Sequence, residues 1–273
     1  MSSIDTAFAS TASVLFGKPL ANMESYEKWL LGRIKHKIRK AKSKFSGKDV
    51  WVVQIDFFDK FGSNVITLGE SEEYGKNALS PAEVEKLSLG NAIHALARIS
   101  TASPEVIYGE NVDARECAAY GPTQHCFRTS FCWFSKKVAY GFWTRDSDSV
   151  FGCSNLVLSS FCIRCHSSTN LTRCFEVNDS SASSGCYFCH NVENCQDCMF
   201  CFNTKNKRYA IGNVEVGREE YMRIKPLVTA SILRELESTH SLRHDIFNIG
   251  CRVARHPLPN LPGKFAIGAN KKK

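Results

Sequence analysis

Residues 138–209 read VAYGFWTRDSDS, VFGCSNLVLSSF, CIRCHSSTNLTR, CFEVNDSSASSG, CYFCHNVENCQD, CMFCFNTKNKRY when cut every twelve residues. The register is visible down each column. The first column holds Val138, Val150, Cys162, Cys174, Cys186 and Cys198, and the fourth Gly141, Cys153, Cys165, Val177, Cys189 and Cys201. The sixth column, Trp143, Asn155, Ser167, Asp179, Asn191 and Asn203, consists mostly of residues that turns prefer. So short a unit cannot bury its own apolar face and must stack on its neighbours. This predicts a short parallel β-solenoid of 12-residue coils. Adjacent strands about 4.8 Å apart would make six coils a block of roughly 25 to 30 Å. A weaker unit precedes it at 126–137, and Ala210 and Ile211 open another.

The flanks change period. After Gly217, the spacing of Tyr221, Ile224, Leu227, Val228, Ile232, Leu233 and Leu236 predicts a helix with Pro226 in its first turns, suited to cap the open end of the solenoid. HPLPNLPGKFAIGANKKK at the end reads as an extended tail. Upstream, Tyr26, Trp29, Leu30, Ile34, Ile38, Ala41 and Phe45 recur at three- and four-residue spacing, which predicts an amphipathic helix ending near Gly47. VWVVQIDFF, residues 50–58, suits a buried strand. Ser80-Pro81-Ala82-Glu83 opens a helix that Leu87, Leu89, Ile93, Leu96 and Ile99 continue. The expected fold is mainly β with α flanks. It divides into an N-terminal helical and strand region (1–112), the Cys-rich solenoid (113–213) and a C-terminal helical cap with a basic tail (214–273).

At 273 residues and 43% hydrophobic the chain is globular, with room for one large core or two to three modules. Its formal net charge is +8, and residues 33–48 hold eight Lys or Arg and no acid. The opening residues lack the pattern of an export signal, and no run of eighteen apolar residues suggests a membrane span, so the expected location is cytoplasmic. Thirteen cysteines, an odd number, then argue against a complete disulfide framework.

Residues 186–221, CYFCHNVENCQDCMFCFNTKNKRYAIGNVEVGREEY, resemble uncharacterised cysteine-rich proteins of archaeal and bacterial genomes. In those proteins stacked Cys-containing units end in a similar (N/K)-x-(R/K)-Y segment before a helix. The resemblance covers about a third of the chain, implies the same stacked architecture, and implies no activity.

Cys162-x2-Cys165, Cys186-x2-Cys189 and Cys195-x2-Cys198-x2-Cys201 have spacings that let two thiolates reach one tetrahedral zinc ion. The competing reading is that they are small apolar fillers, since free Cys is among the most buried residue types. Val138, Val150 and Val177 occupy the same columns and cannot ligate, which favours packing and no cofactor. Cys195 lies outside the two cysteine columns, so Cys186, Cys189, Cys195 and Cys198 form the best residual quartet. The runs do not match iron–sulfur spacings. Cys162–His166 and Cys186–His190 satisfy C-x-x-C-H, the haem attachment pattern, but lie two repeat units apart and so arise from the repeat itself.

Arg33, Lys35, Lys37, Arg39, Lys40, Lys42 and Lys44 line the other face of the first expected helix and suit a polyanion or an acidic subunit surface. No stacking platform for bases is evident beside them. No nucleophile elbow, Walker A or dinucleotide glycine motif occurs. His240 and His244 share i, i+4 spacing without the Glu of a zincin, a pattern better suited to a helix C-terminus. His94, His125 and His256 lack partners in sequence. Asn155, Asn170, Asp179, Asn191, Asn194, Asn203 and Asn206 fall where coils would turn and would stack as ladders. No regular Thr column for an ice-binding face exists.

The sequence therefore favours a structural or assembly protein, a solenoid scaffold that forms homo-oligomers or docks on partner subunits. The alternative is a zinc-stabilised nucleic-acid-binding module. An enzyme comes third, without a substrate class.

Overall fold

The computed structural model describes residues 2–251. From Val112 to Ile211 the chain winds as parallel strands, each residue pairing with the one twelve further on: Val138 with Val150, Val150 with Cys162, Cys198 with Ala210. The pairing reaches back to Val112 with Gln124 and Ala118 with Ser130, giving about eight coils. The first coils escape the repeat pattern because Tyr120, Thr123 and Thr129 replace Cys and Val at lumen positions, while the geometry persists.

A second period lies inside the first. Every third residue from Asp113 to Gly212, Pro122 excepted, has φ between +45° and +65°. Each left-handed residue is a corner, and three residues per side make a coil of four walls. Such a backbone costs a β-carbon about 1–2 kcal/mol. Asn, Asp and Gly reduce that cost and supply many of the corners, among them Asn155, Asn170, Gly152 and Gly185. The expected turn residues Asp179, Asn191, Asn194, Asn203 and Asn206 are corners too, and Asn191 Nδ2 donates to Asn203 Oδ1 at 2.9 Å, as Asn194 does to Asn206 at 2.7 Å.

The residue after each corner points into the lumen. All twelve cysteines whose side chains are described occupy this position and are buried, joined there by Val150, Ser159, Leu171, Val177 and Ser183. The lumen is so narrow that Cys126 Sγ lies 3.8 Å from Cys132 Sγ. From Cys126 to Thr204 only Cys, Ser, Thr, Val, Leu and Gly occupy it. Cys195 lies outside the two cysteine columns, as expected, yet faces the lumen as they do: it belongs to another inward column, with Ser147, Ser159, Leu171 and Ser183. Serine in that column also carries the coil: Ser159 Oγ accepts from Leu171 N–H at 3.0 Å and donates to Val157 O at 2.8 Å.

Outside, Phe127, Phe151, Ile163, Phe175, Tyr187 and Met199 stack up one wall, and each such fully buried side chain contributes about 1.5–3 kcal/mol. Helix α1, Ser3–Phe16, is fixed at its start by a Ser2–Asp5 capping box and ended by Gly17 at φ 82°. It lays Phe8 on Phe151 at 5.2 Å and Phe16 on Phe175 at 4.9 Å. Helix α2, Arg218–Thr239, meets the last coil and runs along the same wall, burying Tyr221, Ile232, Leu233 and Leu236. Helix α3, Ile246–Cys251, follows. A short strand, Val214–Glu215, pairs antiparallel with Arg208–Ile211 and closes that edge.

The N-terminal part departs from expectation. The helix expected over 26–45 breaks after helical turns at Met23–Arg33, and Ile38–Lys42 is strand β1, paired antiparallel with β2, Asp49–Val53. The backbone of the VWVV segment needs a partner, and pairing Ala41 with Val50 and Ile38 with Val53 supplies it; that demand overrides helical spacing. The strand expected over 50–58 ends at Val53, and Asp56–Lys60 is a helical turn. The helix at Ser80 opens with its capping box, Ser80 with Glu83, but stops at Glu85. Leu89 and Ile93 are 96% and 85% exposed, so the apolar stripe has no core to bury it, and only Ala92–Ala95 is helical beyond. The C-terminal tail lies outside the described residues.

Candidate functional site

Cys162, Cys165, Cys186, Cys189, Cys195, Cys198 and Cys201 all face the lumen and are buried. Each thiol donates to the carbonyl two residues earlier, Cys162 to Ser160 O at 3.3 Å and Cys195 to Glu193 O at 3.4 Å among them. Burial pushes the thiols of Cys162, Cys165 and Cys189 well above their usual range. A metal would have to break these bonds and, at Cys162, Cys165 and Cys189, draw protons from thiols that burial keeps neutral. Among the described residues no group of three or more His, Cys, Asp or Glu is arranged to hold an ion. The C-x-x-C-H histidines are also engaged: His166 Nδ1 bonds Ser154 Oγ at 2.8 Å, and His190 Nδ1 bonds the Asn178 amide at 3.0 Å.

The basic run divides once folded. Arg33 Nε donates to Asp245 at 2.7 Å, Arg39 to Asp59 at 3.1 Å, and Lys40 and Lys42 share Asp49 at 2.7 and 2.6 Å. Lys44 donates to Asn64 Oδ1 at 3.3 Å. Lys35 and Lys37 are exposed and make no ion pair among the described residues. Of seven cations, five thus have partners that a linear reading could not place.

Between those two lysines, His36 holds Gln54 O through Nδ1 at 3.1 Å and sets its ring 4.7 Å from Phe142. Phe142 leads to Phe131 at 5.6 Å, and Phe131 stacks on Trp143 at 5.7 Å with 16° between planes. Trp143 is 50% exposed. Phe131 and Trp143 are corners one coil apart, and the ridge continues through Asn155, Ser167 and Asp179. On the other edge of the same wall stand Phe134, with Arg145 5.8 Å from its ring, and the exposed Leu158. An aromatic platform therefore does lie beside the basic segment, contrary to the sequence reading. Its only sequence signal was two rings twelve residues apart in a column of turn residues.

A second constellation is buried. Corners Arg164 and Glu176, one coil apart and 3% and 0% exposed, form an ion pair. Arg164 also donates to Trp29 O and lies 5.3 Å over the Trp29 ring. Ile246 N–H donates to Glu176 Oε2 at 3.0 Å, and Asp245 caps α3 through the Asn248 amide at 2.8 Å while holding Arg33. Burial raises the Glu176 carboxyl even beside Arg164, whereas bonds from Asn248 and Arg33 overcome burial at Asp245 and lower it. A cavity of about 560 Å³ opens beside this cluster, lined in part by Lys28, Arg33, Arg164 and His240. Two arginines against two carboxylates leave the cluster balanced, and it latches both chain flanks to the solenoid.

The remaining histidines do not converge. His240 is the left-handed C-cap of α2, as its spacing suggested, with its ring 5.2 Å from Tyr26; His244 lies beyond the helix. His125 bonds Asp113 at 3.2 Å, and His94 is exposed on a short turn. His256 lies outside the described residues. Among the described residues no helix is long and apolar enough to cross a membrane.

Fold and site together define a four-walled, twelve-residue β-solenoid with one wall covered by helices and an aromatic and basic patch on another. Compared with known proteins, no family model, no curated protein and no solved structure matches the chain.

Proposed function

We propose that the protein is a structural scaffold that docks a partner on the solenoid wall around Trp143. One observation carries this reading: Trp143, Phe134 and Leu158 are 50%, 49% and 60% exposed on one wall of the solenoid. Clustered exposed apolar side chains mark interaction sites more often than single ones do. A rigid repeat surface is suited to such a role, and among the described residues no acid, base and nucleophile converge to favour the enzymatic alternative.

Replacing Trp143 and Phe134 together by Ser, followed by circular dichroism and a light-scattering concentration series, tests it. The expected result is an intact fold with altered association. A mass above one chain that falls in the variant makes the partner a second copy, while a constant monomer mass rules out a second copy as the partner. Loss of the fold in the variant would place these rings in the structure itself and overturn the docking reading.

A further inference from the structure

Resting on that docking reading, we infer that the partner is single-stranded nucleic acid, its bases stacking on the Phe131–Trp143 ridge and its phosphates meeting Lys35 and Lys37. Two independent features of the fold point there. The rings form a continuous series, His36 against Phe142 at 4.7 Å, Phe142 against Phe131 at 5.6 Å, and Phe131 against Trp143 at 5.7 Å. The outermost ring is half exposed. Aromatic side chains offering a free face take bases of any sequence.

The charge is placed to match. Lys35 and Lys37 flank the ring at the start of that series and, unlike Arg33, Arg39, Lys40 and Lys42, have no acid partner among the described residues. A chain of net charge +8 adds a long-range field of the same sign. Beyond Trp143 the ridge falls to Asn155 and Ser167, short polar corners that leave room for an extruded base and can hydrogen-bond its edge. A duplex keeps its bases stacked on one another, so the platform selects single strands.

The test uses the full chain and a fluorescently labelled twelve-nucleotide poly(U) strand, a duplex of the same length and a neutral glucan oligosaccharide, titrated at several salt concentrations. Poly(U) binds, quenches tryptophan fluorescence and binds more tightly than the duplex. The affinity falls with salt with a log–log slope of about −1.4, two phosphates at about −0.7 each. Trp143→Ala weakens binding about 5- to 150-fold, the range for one lost stacked base. Lys35→Glu with Lys37→Glu flattens the salt slope, while circular dichroism stays unchanged.

No poly(U) binding at low salt, binding indifferent to both variants, or salt-insensitive binding of the glucan alone overturns the inference. If poly(U) fails to bind while the Trp143 and Phe134 variant still changes the particle mass, the docking reading stands and only the nucleic-acid assignment falls.

Discussion

The Cys165 N–H donates to Cys153 Sγ at 3.3 Å across one coil, in the way that the Ser159 and Leu171 amides donate to Ser147 and Ser159 Oγ at 3.1 and 3.0 Å. Cys153 also donates to Phe151 O at 3.4 Å, matching the serine bonds to the carbonyl two residues earlier. In this lumen a thiol and a hydroxyl are therefore equivalent parts. Cys153→Ser should stay within about 1 kcal/mol of the parent. Cys153→Ala should cost about 1–3 kcal/mol, because it strands a buried amide. Urea midpoints read the difference, and equal midpoints for the two variants would refute the role assigned to the sulfur.

Because thiols such as Cys162, Cys165 and Cys189 are held neutral by burial, they should be inert while the chain is folded. A thiol reagent at pH 8 should leave the twelve described cysteines unmodified and modify them all in 6 M guanidinium, with peptide mapping assigning each. Rapid labelling of Cys186, Cys189, Cys195 or Cys198 in the native protein would contradict a closed lumen.

The solenoid was legible because stacking forces one register on every coil, so Cys162, Cys174, Cys186 and Cys198 had to recur at one spacing. The three-residue period inside it was equally present, since each of the twelve solenoid cysteines falls one place after a corner, but it was masked by Ser, Thr, Val and Leu sharing the lumen. Cys195 looked stray for that reason alone. The column Phe151, Ile163, Phe175, Tyr187 and Met199, which anchors α1 and α2, was also readable, whereas the platform was not. Nothing local links His36 to Phe142, and whether residues 38–42 become helix or strand depended on β2, which offered a ladder that helical spacing could not match.

His166 gives a pH dependence whose sign follows from burial. Desolvation, with Arg164 and then Arg33 nearby, lowers its imidazole to about 3, against about 6.5 in an unfolded chain. The folded protein keeps it neutral while the unfolded chain takes up a proton, so the stabilisation is present above pH 6.5 and is lost as the pH falls towards 3. The limiting slope is about 1.4 kcal/mol per pH unit. His166→Asn should flatten that part of the stability profile, and Asn178, in the next coil of the same column, shows that the wall accepts the amide. Denaturant melts of both proteins between pH 3.5 and 7 provide the comparison, and parallel curves would remove His166 as the source.

The exposed strand Phe202–Lys205 would be a template for another chain if its backbone were free. Asn213 occupies part of it: its Oδ1 accepts from Phe202 N–H at 2.9 Å, its Nδ2 donates to Phe202 O at 2.8 Å, and its own N–H reaches Cys201 Sγ at 3.4 Å. Its φ is +69°, so Asn213→Gly removes the side chain without adding backbone strain. That variant should lose about 1 kcal/mol, exchange the Phe202 amide faster, and aggregate sooner on warming as the edge becomes free. Hydrogen exchange resolved to residues 201–205 reads the first effect and turbidity the second. Faster exchange without earlier aggregation would mean that the Lys205–Glu193 ion pair protects the edge by itself, and unchanged exchange would show that Asn213 does not hold it.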